Sequence, residues 1–322
     1  MGVDGLFLGL DTSCFTTSAA LVNSENKILA DIRKPLSVPP GERGLQQSAA
    51  VFQHMQKLPE IFHQLAGEYN LRQIKGVAAS IRPRPVQGSY MPVFTVSENQ
   101  GRVISSVLGV PFISTSHQEG HLMAGIWSAG GPQADRFLAV HLSGGTSEIL
   151  AVKQKPDQAG FETDLIGGTT DLHAGQLVDR IGVLLGLPFP SGPYLELLAQ
   201  QAPNSSLRLP SSVVGHNFSF AGPESHAARL KGRGEAPAAI ARAVERCIAV
   251  TIIKALQKVI SERGISDVLV VGGVAANKFI RALLSEKLEM PSVGTRLFFA
   301  DPGYSSDNGV GVALLGMLNH PG

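Results

Sequence analysis

Residues 137–153 read FLAVHLSGGTSEILAVK: an apolar run, the small polar turn SGGT (143–146), and a second apolar run. Short apolar segments joined by a tight turn of small residues predict strand, turn, strand. The same arrangement stands at the front of the chain. LFLGLD (6–11) passes through TSCF into SAALVN (18–23), and KILADIR (27–33) adds a further strand. Two halves that open alike predict a duplicated architecture.

Between these openings the pattern alternates. PPGERG (39–44) reads as a loop. From Leu45 to Ala66 the residues Val51, Phe52, Met55, Leu58, Phe62 and Leu65 keep helical spacing, with Pro59 expected to kink or break the helix. GVAASI (76–81) and PFIST (111–115) read as strands around a helix over 93–108. The second half repeats the theme. It has a third strand near Glu162–Ile166, a helix over Leu172–Leu185, a polar loop at 202–212 and a long helix over Pro237–Arg263. DVLVVGG (267–273) then runs into a helix from Asn277, and a strand near Leu297–Phe299 precedes a last helix from Asp307.

This doubled α/β order is similar to the superfamily of actin, sugar kinases and heat-shock chaperone ATPases (the ASKHA fold). Its members hold a nucleotide in a cleft between two actin-like domains. The expected division is an N-terminal actin-like domain over 1–115 and a C-terminal one over 116–322, with the last helix (about 305–318) packing back towards the first domain. Fold alone does not fix function.

Composition narrows the classes. At 322 residues the chain is long for one core. Hydrophobic residues make up 43% and charged residues 16%, which suits a well-buried α/β protein rather than a disordered one. The net charge of +1 offers no global basic field for nucleic acid, so such a contact needs a local patch or partner proteins. Cys14 and Cys247 are too few for a disulfide framework. MGVDGLFLGLDTS has no basic n-region of a signal peptide, and no apolar run reaches membrane-spanning length. A cytoplasmic protein without membrane contact is the expectation.

Three small-residue turns follow apolar strands: DTSCFTTS (11–18), LSGGTSE (142–148) and VVGGVAAN (270–277). Backbone amides in such turns form anion-binding nests, and the third leads into a helix N-terminus, where the dipole favours phosphate. Ser143, Gly144 and Gly145 are therefore candidate phosphate contacts; the plain alternative is that the turns only connect strands. Asp179, among apolar neighbours on its helix, can accept from ribose hydroxyls or face Arg180. Asn277 can reach a base or ribose, or simply cap its helix.

STSHQEGH (114–121) places His117 and His121 one helical turn apart, able to hold one metal ion together. Ser116 and Glu119 form a capping-box pattern at that helix start. Gln118 stands where the zinc-peptidase pattern His-Glu-x-x-His needs its glutamate, which disfavours a peptidase. Asp307 reads either as the N-cap of the last helix or as a third ligand. Two histidines with a carboxylate suit iron or zinc.

GLDTSC (9–14), HQEGHLMA (117–124), LSGGTSEI (142–149), AGQLVDRIGVLLGLPFPSGP (174–193), NFSFAG (217–222), VGGVAANKFIR (271–281) and SSDNG (305–309) together resemble the tRNA threonylcarbamoyladenosine transferase family, formerly described as O-sialoglycoprotein endopeptidases. The resemblance runs nearly the length of the chain. It implies one iron or zinc ion on His117, His121 and Asp307. The nucleotide part of threonylcarbamoyl-AMP, or ATP or AMP, would lie against Gly175, Asp179, Gly192 and Asn277. The reaction implied is transfer of threonylcarbamoyl to the adenosine beside the tRNA anticodon, with partner proteins of the same pathway. No catalytic side chain is assigned. The chain departs from the family pattern in places. Phe15 and Thr16 replace acidic residues, Thr146 a histidine or asparagine, Gln176 a glutamate and Ser191 a glycine. SIRPRPVQGSYMP (80–92) replaces a shorter glycine–proline–glycine turn. A diverged paralogue, carbamoylating another acceptor or serving as a non-catalytic nucleotide-binding scaffold, is the competing expectation.

Overall fold

Seven consecutive buried residues make Leu6–Thr12 (β1) a strand covered on both faces. In the computed structural model, which describes residues 5–13, 15–38 and 45–321, β1 is the centre of a five-stranded sheet. The loop at 39–44, the first four residues and Cys14 lie outside the described residues. Thr16–Asn23 (β2) and Ile28–Pro35 (β3) complete an antiparallel meander with β1. Gln47–Glu68 (α1) then leads to Ile74–Ser80 (β4), parallel to β1. Phe94–Leu108 (α2) leads to Phe112–Thr115 (β5), parallel to β4. The order is β3-β2-β1-β4-β5.

After His117–Ala129 (α3) the scheme repeats. Arg136–Leu142 (β6) pairs antiparallel with Ser147–Gln154 (β7), and Phe161–Gly168 (β8) lies beyond it. Ala174–Leu184 (α4) and Gly192–Ala199 (α5) follow, then the small hairpin of Ser212–Val214 (β9) and Asn217–Ser219 (β10). Ala221–Gly232 (α6) and Pro237–Arg263 (α7) precede Asp267–Val271 (β11), which is parallel to β6. Lys278–Leu288 (α8), Arg296–Phe299 (β12) and Val310–Leu318 (α9) close the chain. Written from the meander outward, the second sheet is β8-β7-β6-β11-β12, the same order as the first. The duplication expected from the two hairpins is present strand for strand.

Two local readings need correction. Pro59 does not divide its segment; α1 is a single helix of 22 residues. Proline removes one backbone bond there, a cost of about 3 kcal/mol. Burial of Leu58, Ile61 and Leu65 on the same face offsets it at roughly 2 kcal/mol each. Asp307 is not the cap of the last helix. The N-cap is Gly309, and Asn308 before it serves the helix start, its Oδ1 accepting from Val310 N at 3.0 Å. α5 and α6 are helices that the sequence reading lacks, because each carries a glycine–proline pair in its first turn, Gly192–Pro193 and Gly222–Pro223, and such pairs read as turns.

The chain divides into two compact units. The first comprises residues 1–128, 154–162 and 306–322, the second 129–153 and 163–305. A cut at residue 115 would leave α3 with the second sheet; the structure puts both α3 and α9 with the first. The reason is close packing. α9 lies against β1, β2 and β4. A Cβ on Gly311 would collide with the carbonyl oxygen of Gly120 on α3. Gly311→Ala is therefore expected to destabilise the first unit by about 3 kcal/mol, the upper range for overpacking, read as a lower denaturant midpoint. An unchanged midpoint would mean that the two helices separate freely. Among the described residues no helix is long and apolar enough to cross a membrane.

Candidate functional site

The start of α3 is fixed from several sides. Ser116 and Glu119 form the reciprocal capping box: Ser116 N donates to Glu119 Oε2 at 3.0 Å, and Glu119 N donates to Ser116 Oγ at 3.2 Å. Glu119 Oε1 also accepts from Lys155 Nζ at 2.8 Å and from Phe161 N at 3.1 Å. Burial would raise this carboxyl, but Lys155, Ser116 and Phe161 N hold it below its usual value. The divergent stretch at 80–92 supplies acceptors for two free helix-start amides, since His117 N donates to Arg82 O and Gln118 N to Pro83 O. Glu119 is thus a structural residue, and the imidazole of His117 is held on a rigid turn.

On that turn the expected ligands meet. His117 Nε2 and His121 Nε2 are 3.1 Å apart. Asp307 Oδ1 lies 3.6 Å from the first and 3.3 Å from the second. One donor atom from each of the three residues falls within a 4.8 Å span. All three belong to the first unit. A fourth residue, absent from the sequence reading, completes the arrangement. Asp11, at the end of β1 and wholly buried, lies with Oδ1 3.0 Å from His117 Nδ1. Ser80 Oγ donates to the same Asp11 oxygen, while buried Oδ2 has no hydrogen-bond partner among the described residues. A carboxylate on Nδ1 fixes the imidazole tautomer that leaves Nε2 as a lone-pair donor. The signal was in the sequence: an acid ending an otherwise apolar strand needs a partner.

Charge follows geometry. Burial pulls the His117 pKa down, but the charge and hydrogen bond of Asp11 and the charge of Asp307 outweigh it, raising it to about 9. Burial would raise Asp307, yet its hydrogen bond to His121 and the charges of both histidines hold it far below the usual carboxylate range. Two imidazole nitrogens aimed at each other and at one carboxylate oxygen need a proton between them, or a cation. The donor set fits a divalent iron or zinc ion: three lone pairs converge, and one of their rings is oriented by a second carboxylate.

The nucleotide candidates all lie in the second unit. The 143–146 turn closes the β6–β7 hairpin, with Ser143 Oγ accepting from Thr146 N at 3.0 Å. Gly144 and Gly145 are exposed. The start of α4 packs onto this turn: a Cβ on Gly175 would lie 2.6 Å from Gly144 N, and Gly175 N donates to Ser143 O at 3.0 Å. One turn further, Asp179 Oδ1 accepts from Ser191 N at 2.8 Å, beside Gly192 at the start of α5. Burial raises the Asp179 pKa and the Ser191 amide lowers it, the first prevailing. Asn277 caps α8, its Oδ1 accepting from Ile280 N at 2.9 Å and its Nδ2 donating to Glu245 at 2.6 Å. α5 reaches α8 through Glu196, whose Oε1 accepts from Lys278 N at 2.9 Å. The glycine of the third turn has a packing duty. Gly272 has φ of 101°, and a Cβ there would collide with Leu142 O on β6.

Comparison with known proteins gives a family and a fold. The model of the tRNA N6-adenosine threonylcarbamoyltransferase family matches residues 27–314. Among solved structures, HypF of T. kodakarensis superposes with a TM-score of 0.63 at 15% identity, over 98% of this chain and 47% of its own. Component A of the Acidaminococcus fermentans (R)-2-hydroxyglutaryl-CoA dehydratase gives 0.55 at 15%, over 97% and 98% of the two chains. A ROK family glucokinase from Streptomyces griseus, solved with glucose and AMPPNP, gives 0.51 at 13%, over 97% and 99%. At such identities these structures show the fold, which is actin-like.

Proposed function

The chain belongs to the tRNA N6-adenosine threonylcarbamoyltransferase family, and from that premise we propose that it moves threonylcarbamoyl from threonylcarbamoyl-AMP to the adenosine beside the tRNA anticodon. The observation that carries the reading is the convergence of His117, His121 and Asp307, backed by Asp11. These three residues would hold one iron or zinc ion, which when bound supplies a Lewis acid for anionic oxygen.

In the reaction the exocyclic amine of the adenosine attacks the carbamoyl carbonyl. The bond from that carbon to the phosphate oxygen breaks, AMP leaves, and the amine loses a proton. On the protein side, Asp11 keeps His117 in one tautomer. In the Ser143–Gly144–Gly145 turn, with Gly175 packed against it, Ser143 N and Gly145 N are spent on Thr146 O and Ser143 Oγ, which leaves the exposed Gly144 N–H for phosphate. Asp179 has one oxygen on Ser191 N and its other without a protein partner among the described residues, suited to a ribose hydroxyl. Gly192 follows it, and Asn277 borders the same group of helices. Asp179→Ala is expected to weaken ATP or AMP binding about tenfold while leaving metal content unchanged, as loss of one charge-assisted hydrogen bond requires. Equal affinity in calorimetry would remove Asp179 from the site.

A net charge of +1 gives tRNA little long-range attraction, so partner proteins of the pathway are part of this reading, as is the cytoplasm as its place. The test supplies purified chain, pathway partners, threonylcarbamoyl-AMP and unmodified tRNA. Modified adenosine supports the reading; its absence, with carbamoylation of a small acceptor instead, favours the second.

That second reading, transfer to another acceptor or a non-catalytic scaffold, draws on the turn after β1. Phe15 is 46% exposed and Thr16 begins β2, and neither offers the carboxylates that the family carries there. Transfer to tRNA should accordingly be slow. Phe15→Asp with Thr16→Glu is expected to raise it at least about tenfold, because one oriented catalytic group is commonly worth about a hundredfold. No gain in the double variant would make the exchange silent.

A further inference from the structure

Arg242 and Arg246 lie one turn apart on α7, and both guanidinium groups stand over the Phe279 ring of α8. Their Cζ atoms are 4.1 and 5.4 Å from its centroid. Arg208, in the loop before β9, adds a third charge close enough to act on Arg246. These residues all belong to the second unit and none is among the triad or nucleotide candidates.

The acceptors nearby do not balance the donors. Arg242 is buried; its Nη1 donates to Glu245 Oε2 at 2.7 Å and its Nη2 to Ala199 O at 3.0 Å, while its buried Nε has no partner. Glu245 spends its other oxygen on Asn277, and Glu196 accepts from Lys278 N. Arg208 Nη1 donates to the carbonyls of Ser205 and Leu207. Arg246 makes no ion pair among the described residues, and its Nε is buried without an acceptor. Burial, then the charges of Arg208 and Arg242, hold the Arg246 pKa below its ordinary value. A dehydrated guanidinium N–H beside two like charges is costly unless a ligand accepts from it.

We propose that Arg208 and Arg246, with Phe279 and Arg242 behind them, form a binding site for a phosphate group on the second unit. Phosphate is favoured over a carboxylate because Arg246, whose Nε lacks an acceptor, stands beside the positive charges of Arg208 and Arg242, and a dianion with three free oxygens balances more than one cation. The half-buried ring adds a flat apolar wall suited to a base next to the phosphate. A free nucleotide or an RNA backbone would present the same chemistry. The site does not rest on the transferase reading, since a chain that transfers nothing would still bind phosphate here.

The test uses the full-length protein and two probes, sodium pyrophosphate by calorimetry and unmodified tRNA by fluorescence anisotropy. The parent should bind at least one of them. Arg208→Ala and Arg246→Ala should each weaken that binding about tenfold, with Arg246→Lys intermediate, while Arg246→Ala melts no lower than the parent. A fall for tRNA assigns the site to an RNA backbone; a fall for pyrophosphate alone assigns it to a free phosphate or nucleotide. Unchanged affinity for both probes in the folded double variant, no binding of either probe by the parent, or a lower melting temperature with unchanged affinity would overturn the proposal.

Discussion

Alanine at both His117 and His121 is expected to leave the purified chain without bound metal, where the parent carries about one iron or zinc per chain. Removing a residue that merely orients a ligand commonly costs ten- to a hundredfold in metal affinity. Deleting two of three ligands should cost more than either, enough for desalting to strip the site. Asp307 would remain, but a single carboxylate does not hold a transition metal against dilution. Elemental analysis after desalting reads the result, with circular dichroism to show that α3 still folds. The capping box, the Lys155 ion pair and the Arg82 and Pro83 carbonyls are untouched, so helix loss is not expected. A full metal complement in the double variant would place the ligands elsewhere.

Metal affinity is also expected to climb about tenfold per pH unit between pH 6 and 8, a hundredfold in all. Without metal, His117 carries a proton up to about pH 9 because Asp11 and Asp307 overcome its burial. Coordination through Nε2 releases that proton, so one proton leaves per ion bound. The sign for stability is opposite in the metal-free chain. A folded pKa raised from 6.5 to about 9 contributes stability that is fully present below 6.5 and lost as pH rises through 9. Asp307, whose pKa is depressed, contributes above 3.8 and fails only in acid, so it stays ionised throughout this window. Competition with a chelator of known protonation, repeated at each pH, measures the slope. A flat profile would show that His117 binds metal without losing a proton, and would remove it from the ligand set.

Much of this molecule is legible along the chain, for physical reasons. The central strands are buried on both faces, so LFLGLD and DVLVV read as apolar runs, and the β6–β7 turn exposes Gly144 and Gly145. The triad was readable because His117 and His121 share a helical face by spacing alone. Asp11 was not, because its importance comes from β1 and α3 meeting across more than a hundred residues of sequence, a separation no local pattern encodes. The dual role of Glu119 was half-visible: its capping box is local, while Lys155 and Phe161 arrive from the β7–β8 connection. Asp307 suggested a cap because it precedes a helix, but Asn308, one residue on, accepts from the first helical amide and leaves Asp307 for the histidines. The arginines around Phe279 were invisible, since each alone reads as an ordinary surface cation.

The most direct measurement follows one preparation of the protein, with its pathway partners, through three states: metal-loaded, chelator-stripped and reloaded. Formation of modified adenosine on tRNA is measured in each. The account predicts transfer in the first state, loss in the second and recovery in the third, with metal content tracking activity. Undiminished transfer after complete stripping, or none from the fully loaded protein, would contradict it.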